Sequence, residues 1–290
     1  MILANQTKAV NLGQGAPDSD PQLFIKEAGH AAIFGTNHQY PRCQGAPELV
    51  NALAELYSGP LQRELNGMEH VHIGVGATDI GFCAFHGLMN PGDEIIIFEP
   101  FFDCYYAWAK LAEANIKYIP LKHFTQLDNP CKHNNERFEK DQILRADDYT
   151  FDKNVLADAF SDKTRFILLN TPNNPLGKIF DSEELQYIAS LVSQSKRCLI
   201  FSDEVYDFIL HDDTRVEYEV RGIEPPPLQH QRKQQQQQQQ DGEEEKSTCV
   251  SNTSSNTTAT AHQILPRIAT LPGMWERTLT VGSCGKMFSI

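Results

Sequence analysis

The sequence predicts an α/β domain built around a mostly parallel sheet. Short apolar runs suited to strands buried on both faces recur at Ile95–Phe98, Phe166–Leu169, Leu199–Phe201 and Leu279–Val281. Between them lie segments with helical apolar spacing, and strands alternating with helices wind into such a sheet. Size agrees: 290 residues, 40% of them hydrophobic, suffice for one large domain or two ordinary ones with a real core.

Taken in chain order, the first clear element is a helix. Leu49, Val50, Leu53, Leu56 and Tyr57 recur at helical spacing. The strand Ile95–Phe98 follows, then Phe166–Leu169. Asp181 and Glu184 form a capping pair ahead of Leu185, Ile188, Ala189 and Val192, which predicts a helix start. The strand Leu199–Phe201 comes next. From Val216 to His262 the composition changes: Pro225-Pro-Pro227, Gln234–Gln240, Glu243–Glu245, then a Ser/Thr/Asn-rich stretch. Such a segment buries too little apolar surface to offset its chain entropy, so residues 216–262 are predicted to be a disordered insertion. Its polyglutamine could mediate association, but a passive surface loop is the reading preferred. The last strand is Leu279–Val281.

Composition narrows the partners. The net charge is −13, and no basic patch with interleaved aromatics occurs, which argues against nucleic acid. No apolar run approaches the ~20 residues that span a bilayer, and Met1–Lys8 lacks the apolar stretch of a signal peptide. The cytoplasm is the default compartment, with the mitochondrion left open. Seven cysteines without a CxxC spacing read as reduced thiols, with no metal site expected.

The residues after each strand carry the chemistry. Ligands of open α/β sheets bind at the carboxyl ends of the strands. After the first strand comes Glu99-Pro-Phe-Phe-Asp-Cys-Tyr105; after the second, Asn170-Thr-Pro-Asn-Asn-Pro-Leu-Gly177. After the third comes Ser202-Asp-Glu-Val-Tyr206; after the fourth, Gly282-Ser-Cys-Gly-Lys-Met-Phe-Ser289. An aromatic pair, an amide, a carboxylate with a nearby phenol, and a serine with a lysine would thus meet at one edge. Each is weak alone, since an Asp at a strand end is often a cap and Asn-Asn-Pro often a turn. Together they are the parts one cofactor needs. Pyridoxal phosphate (PLP) requires a lysine amine for its imine and an acid beside its ring nitrogen. It also requires donors to its ring oxygen, an aromatic face, and N–H groups at a helix start for its phosphate.

These motifs resemble the fold type I, class I/II PLP-dependent aminotransferases. Asn11-Leu-Gly-Gln-Gly15, Glu99–Tyr105, Leu169–Lys178 and Leu271-Pro-Gly-Met-Trp-Glu-Arg-Thr278 sharpen the likeness to the kynurenine aminotransferase group, whose members also act as cysteine-S-conjugate β-lyases and glutamine transaminases. The resemblance runs from about Val10 to Ser289, interrupted by the insertion. It implies that Lys286 forms the Schiff base and later moves a proton between substrate and cofactor. It implies that Asp203 pairs with the ring nitrogen, that Tyr206 and Asn174 donate to the ring oxygen, and that Phe102 stacks on the ring. Ser283 with the backbone of Ala77, Thr78 and Asp79 would hold the phosphate. Tyr40 would reach the phosphate of a neighbouring subunit in a homodimer. Gly15, and again Asn174, would lie against the substrate. The substrates implied are an amino acid, such as kynurenine or glutamine, and a 2-oxo acid.

The resemblance also sets expected domains: an N-terminal segment 1–39 belonging to a small domain or arm, then a PLP-binding large domain 40–290 holding the insertion, with the small domain largely missing. Three departures from the family pattern stand out. Gly76-Ala-Thr-Asp79 sets an acid beside the expected phosphate. Cys284 stands where the family has alanine. The chain ends at Ile290, before the part that carries the arginine expected to bind the substrate carboxylate. The last of these keeps a second reading open, an inactive fragment that could act by associating with full-length subunits; a third and weaker one, another PLP aminotransferase of aspartate or alanine type, has the Pro100–Tyr105 and Pro272–Arg277 motifs against it.

Overall fold

Ile95, Ile96, Ile97 and Phe98 are all buried, and they form the body of strand β1 (Glu94–Glu99). A strand with four consecutive buried apolar residues lies inside a sheet covered on both faces. The computed structural model describes residues 6–10, 20–36, 38–131, 145–209 and 265–289. In it β1 sits within such a sheet, with β2 (Asn115–Pro120), β5 (Thr164–Asn170), β6 (Leu199–Asp203) and β7 (Thr278–Val281). The order is β2-β1-β5-β6-β7, and every neighbouring pair is parallel. A small antiparallel pair, β3 (Lys122–His123) and β4 (Tyr149–Thr150), stands apart.

The helices are α1 (Leu23–Ile33), α2 (Pro47–Ser58), α3 (Gly67–His70), α4 (Gly76–Leu88), α5 (Cys104–Leu111), α6 (Lys153–Ala159), α7 (Ser182–Gln194) and α8 (Cys284–Met287); α4 and α5 cover one face of the sheet, α6 and α7 the other. Side chains alternate across a strand, so each strand feeds two cores. Ile96, Phe98, Ile167, Leu169 and Ile200 pack with Leu156 of α6 and with Leu185, Ile188 and Val192 of α7. Ile95, Ile97, Phe166, Leu168 and Phe201 pack with Phe85 of α4 and with Tyr105 and Trp108 of α5. The approach of α4 to α5 depends on Gly81, where an added Cβ would lie 2.3 Å from the Trp108 ring.

All four expected strands occur. The fifth, β2, escapes the sequence pattern because Asn115-Ile-Lys-Tyr-Ile-Pro120 mixes polar and apolar residues, as an edge strand can. The helix expected around Leu49–Tyr57 is α2, opened by Pro47 at its first turn. The Asp181–Glu184 capping box is formed, with Glu184 N–H donating to Asp181 and Asp181 N–H to Glu184. Residues 216–262, the expected insertion, lie outside the described residues. No helix of the described residues is long and apolar enough to cross a membrane.

What positions a site is the reversal of strand order. From β1 the chain steps outward to β2 through α5. It then returns to β5 on the other side of β1 and continues outward to β6 through α7. The two halves part between the carboxyl ends of β1 and β5, where doubly wound sheets open a crevice.

Candidate functional site

Register brings the strand ends together. Asn170, the last residue of β5, pairs with Asp203, the last of β6, and Asp203 pairs in turn with Val281, the last of β7. Beyond this row lies a cavity of about 230 Å³. Phe102 reaches it from the turn after β1, and Asn170 and Asn174 from the end of β5 and its following turn. Asp203 reaches it from the end of β6, Val205 and Tyr206 from the turn that follows, and Ser283 and Lys286 from the cap and body of α8 after β7. The first turn of α4 adds Ala77 and Thr78, and α5 adds Tyr105 and Trp108. Six expected side chains, those of Lys286, Asp203, Tyr206, Asn174, Phe102 and Ser283, therefore share one wall with Ala77 and Thr78.

Asp203 is buried and held on both oxygens. Oδ1 accepts the Val205 N–H at 3.2 Å, and Oδ2 accepts the Tyr105 hydroxyl at 2.5 Å. Burial pushes its carboxyl above the ordinary value, opposed by the Tyr105 and Val205 bonds and by the Lys286 charge. Tyr206 is also raised, first by burial and then by the Asp203 charge, while its hydrogen bond with the Asn174 side chain pulls the other way. The Lys286 ammonium stands over the Tyr206 ring, 5.6 Å from its centroid. Lysine amine, phenol, amide and acid thus form one connected polar group. Phe102 closes one side, its ring edge-on to Tyr105 with centroids 5.7 Å apart.

The start of α4 answers the question raised by Asp79. Its Oδ2 accepts the Val75 N–H at 3.0 Å, so the acid caps its own helix and does not line the cavity. Gly74 makes room for this turn back, since a Cβ there would meet Asp79 Oδ2 at 2.8 Å. Ala77 and Thr78 remain in the wall, where a helix N-terminus favours an anion. Tyr40 is 98% exposed and does not line the cavity; its expected role lies across an interface between two chains. Gly15 lies outside the described residues.

A second layer supports the β6 turn. Arg267 is 1% exposed and donates to Glu204 Oε2 and, at 2.8 Å, to Asp207 Oδ2. Ser202 Oγ donates to Glu204 Oε1 at 2.8 Å, and the Tyr57 hydroxyl to Asp207 Oδ2 at 3.3 Å. Glu204 and Asp207 alternate with Asp203 and Tyr206 in one turn, so this cluster grips the back of the residues whose fronts face the cavity.

Sequence reasoning missed Asn170, Tyr105, Trp108 and Val205 as lining residues. Tyr105 carried a signal: it closes the same Glu99–Tyr105 motif as Phe102, and the turn that opens α5, with the Tyr105 N–H donating to the Phe102 carbonyl at 3.1 Å, keeps the two residues together. Asn170 became visible only through its register with Asp203.

Comparison with known proteins accords with this geometry. The family model for aminotransferase class I and II matches residues 7–289. Kynurenine–oxoglutarate transaminase of Dictyostelium discoideum is 36% identical over 290 residues, covering 99% of this chain and 54% of that protein. Kynurenine–oxoglutarate transaminase 1 of Homo sapiens is 34% identical over 289 residues, again covering 99% and 54%. Among solved structures, Bna3p of Saccharomyces cerevisiae aligns with a TM-score of 0.68 at 30% identity, over 99% of this chain and 53% of that one. The chain thus spans about half the length of the curated relatives it matches. With a matching model along nearly its whole length and a switch-point cavity where such folds bind ligands, the chain belongs to the class I and II aminotransferases.

Proposed function

We propose that the cavity holds pyridoxal phosphate on Lys286, and that the protein moves an amino group from an amino acid to a 2-oxo acid. The observation that carries this reading is the convergence of Lys286, Asp203, Tyr206, Asn174, Phe102 and Ser283 from four strand ends on one cavity. The donor set fits the group. An amine, a buried acid, a phenol beside an amide, an aromatic face and a helix start match an aldehyde, a ring nitrogen, a ring oxygen, a flat ring and a phosphate. Once bound, pyridoxal phosphate supplies a carbonyl that condenses with amines and a ring that withdraws electrons from the substrate's Cα.

The chain's own residues do the rest. Lys286 would tether the cofactor, and its amine, once freed by an incoming amino acid, would take the proton from the substrate's Cα and deliver it to the cofactor carbon that carried the aldehyde. Asp203 keeps a proton on the ring nitrogen. Tyr206 and Asn174 donate to the ring oxygen, and Phe102 covers a ring face and excludes water. Ser283 and the first turn of α4 hold the phosphate. Kynurenine is the donor we favour, because the curated relatives quoted above carry that name. A substrate with a leaving group on Cβ would lose it at the same site, which is the route to β-lyase activity.

The test needs no turnover. The purified chain is mixed with pyridoxal phosphate, reduced with borohydride, digested and mapped. The expected result is one reduced adduct, on Lys286, which Lys286→Ala abolishes. A soluble, folded chain with no adduct, or with its adduct on another lysine, overturns the reading.

A further inference from the structure

Tyr105 is a buried phenol with one polar task. It is 1% exposed and packed among Trp108, Phe101 and Phe102, and its hydroxyl donates to Asp203 Oδ2 at 2.5 Å. The bond joins α5 to the end of β6 across residues that lie far apart in sequence. Asp203 Oδ1 already accepts the Val205 N–H at 3.2 Å. Two donors on an otherwise desolvated carboxyl stabilise its ionised form, since each is a bond to charge in a medium of low polarity. Each carboxylate oxygen has two lone pairs, so one further donor can still be taken from the cavity side. The other charged or titratable groups around Asp203 are Lys286, Tyr206 and Glu204.

We infer that Tyr105 is a positioning residue: by donating to Asp203 Oδ2 it fixes that carboxylate and makes it a weaker base, so that a proton shared with a cofactor's ring nitrogen resides on the nitrogen. This rests on the reading of the cavity given above. In a dry site a carboxylate facing a pyridinium competes with the neutral pair, in which the proton has passed to oxygen. The phenol tilts that balance toward the ion pair, and the electron-withdrawing power of the ring depends on it. Were Tyr105 only a core residue satisfying its hydroxyl at the nearest acceptor, its removal would affect stability and leave the ring nitrogen unchanged.

The experiment uses the full chain loaded with pyridoxal phosphate labelled with ¹⁵N in the ring. Tyr105→Phe keeps the ring packing and deletes the donor. It should weaken cofactor binding about tenfold, the scale of one hydrogen bond to a charged group. It should also move the ¹⁵N resonance toward the unprotonated position. Incorporating 3,5-difluorotyrosine in place of Tyr105 strengthens the donor and should move the resonance the opposite way; that variant decides if Tyr105→Phe does not fold. An unchanged resonance and affinity in the variants, with the unsubstituted chain loaded on Lys286, overturns the role of Tyr105 alone. An unsubstituted chain that takes up no cofactor overturns the site and this inference together.

Discussion

Asp152 shows how much a single carboxylate can organise. It opens α6, accepting the Asn154 and Val155 N–H groups on Oδ1 at 2.8 and 3.2 Å and the Asn129 N–H on Oδ2 at 2.6 Å. Burial pushes its carboxyl up, but these backbone donors outweigh burial and hold it below its ordinary value of 3.8. The sign of the linkage follows. A depressed carboxyl contributes stability that is complete above the unfolded value and is lost as pH falls through the folded value. Asp152→Asn should therefore lower the urea midpoint at pH 7, and the difference from the parent should shrink steadily below about pH 4. A gap that persists undiminished into acid would refute the linkage. Asp203, Glu204 and Asp207 have the opposite sign, for burial raises all three, and the stability they cost grows as pH rises toward their folded values. Among these residues only Asp203 was legible as functional from sequence, through its place after a strand. Asp79 stood beside an expected phosphate, and no pattern could reveal that it caps its own helix.

At the scale of elements, the turn after β6 is the part most dependent on partners. It presents Asp203 and Tyr206 to the cavity while Glu204 and Asp207 face inward, and Arg267 pairs with both inward acids. Removing one member of a buried ion network costs far more than the network contributes, because charge is left uncompensated. Arg267→Met should lower stability by about 3–5 kcal/mol in urea unfolding. Adding Glu204→Gln should restore part of that loss, as a double-mutant cycle would register. Additive losses would mean that the pair is not coupled. The pairing joins residues on either side of 210–264, so spacing along the chain gave no hint of it. The strands and the α7 capping box, by contrast, were readable in sequence because their signals are local.

For the whole molecule, the arrangement places the site where two halves of a sheet part. Residues 203–209 and 265–289 meet through the Arg267 pairs and through the parallel pairing of β6 with β7. The connection of these parts therefore does not need the length of the segment between them. Replacing residues 216–262 with a short Gly-Ser linker should leave cofactor uptake on Lys286 intact. It should also raise stability slightly, since each halving of a loop returns about 0.6 kcal/mol of closure entropy. Calorimetry and the borohydride adduct would check both, and loss of the soluble fold would make the segment structural.

The sequence by itself determined the class of the fold, four of five sheet strands, and the residue types that end each strand. Those depend on hydrophobic period and turn chemistry within a few residues. It also carried enough motif to identify the family. Only the tertiary structure decided which of those residues meet, because strand order and register join positions up to a hundred or more residues apart. That is how Tyr105 came to Asp203 and Arg267 to Glu204, and how Lys286, one lysine among many in sequence, came to face a buried acid across a cavity.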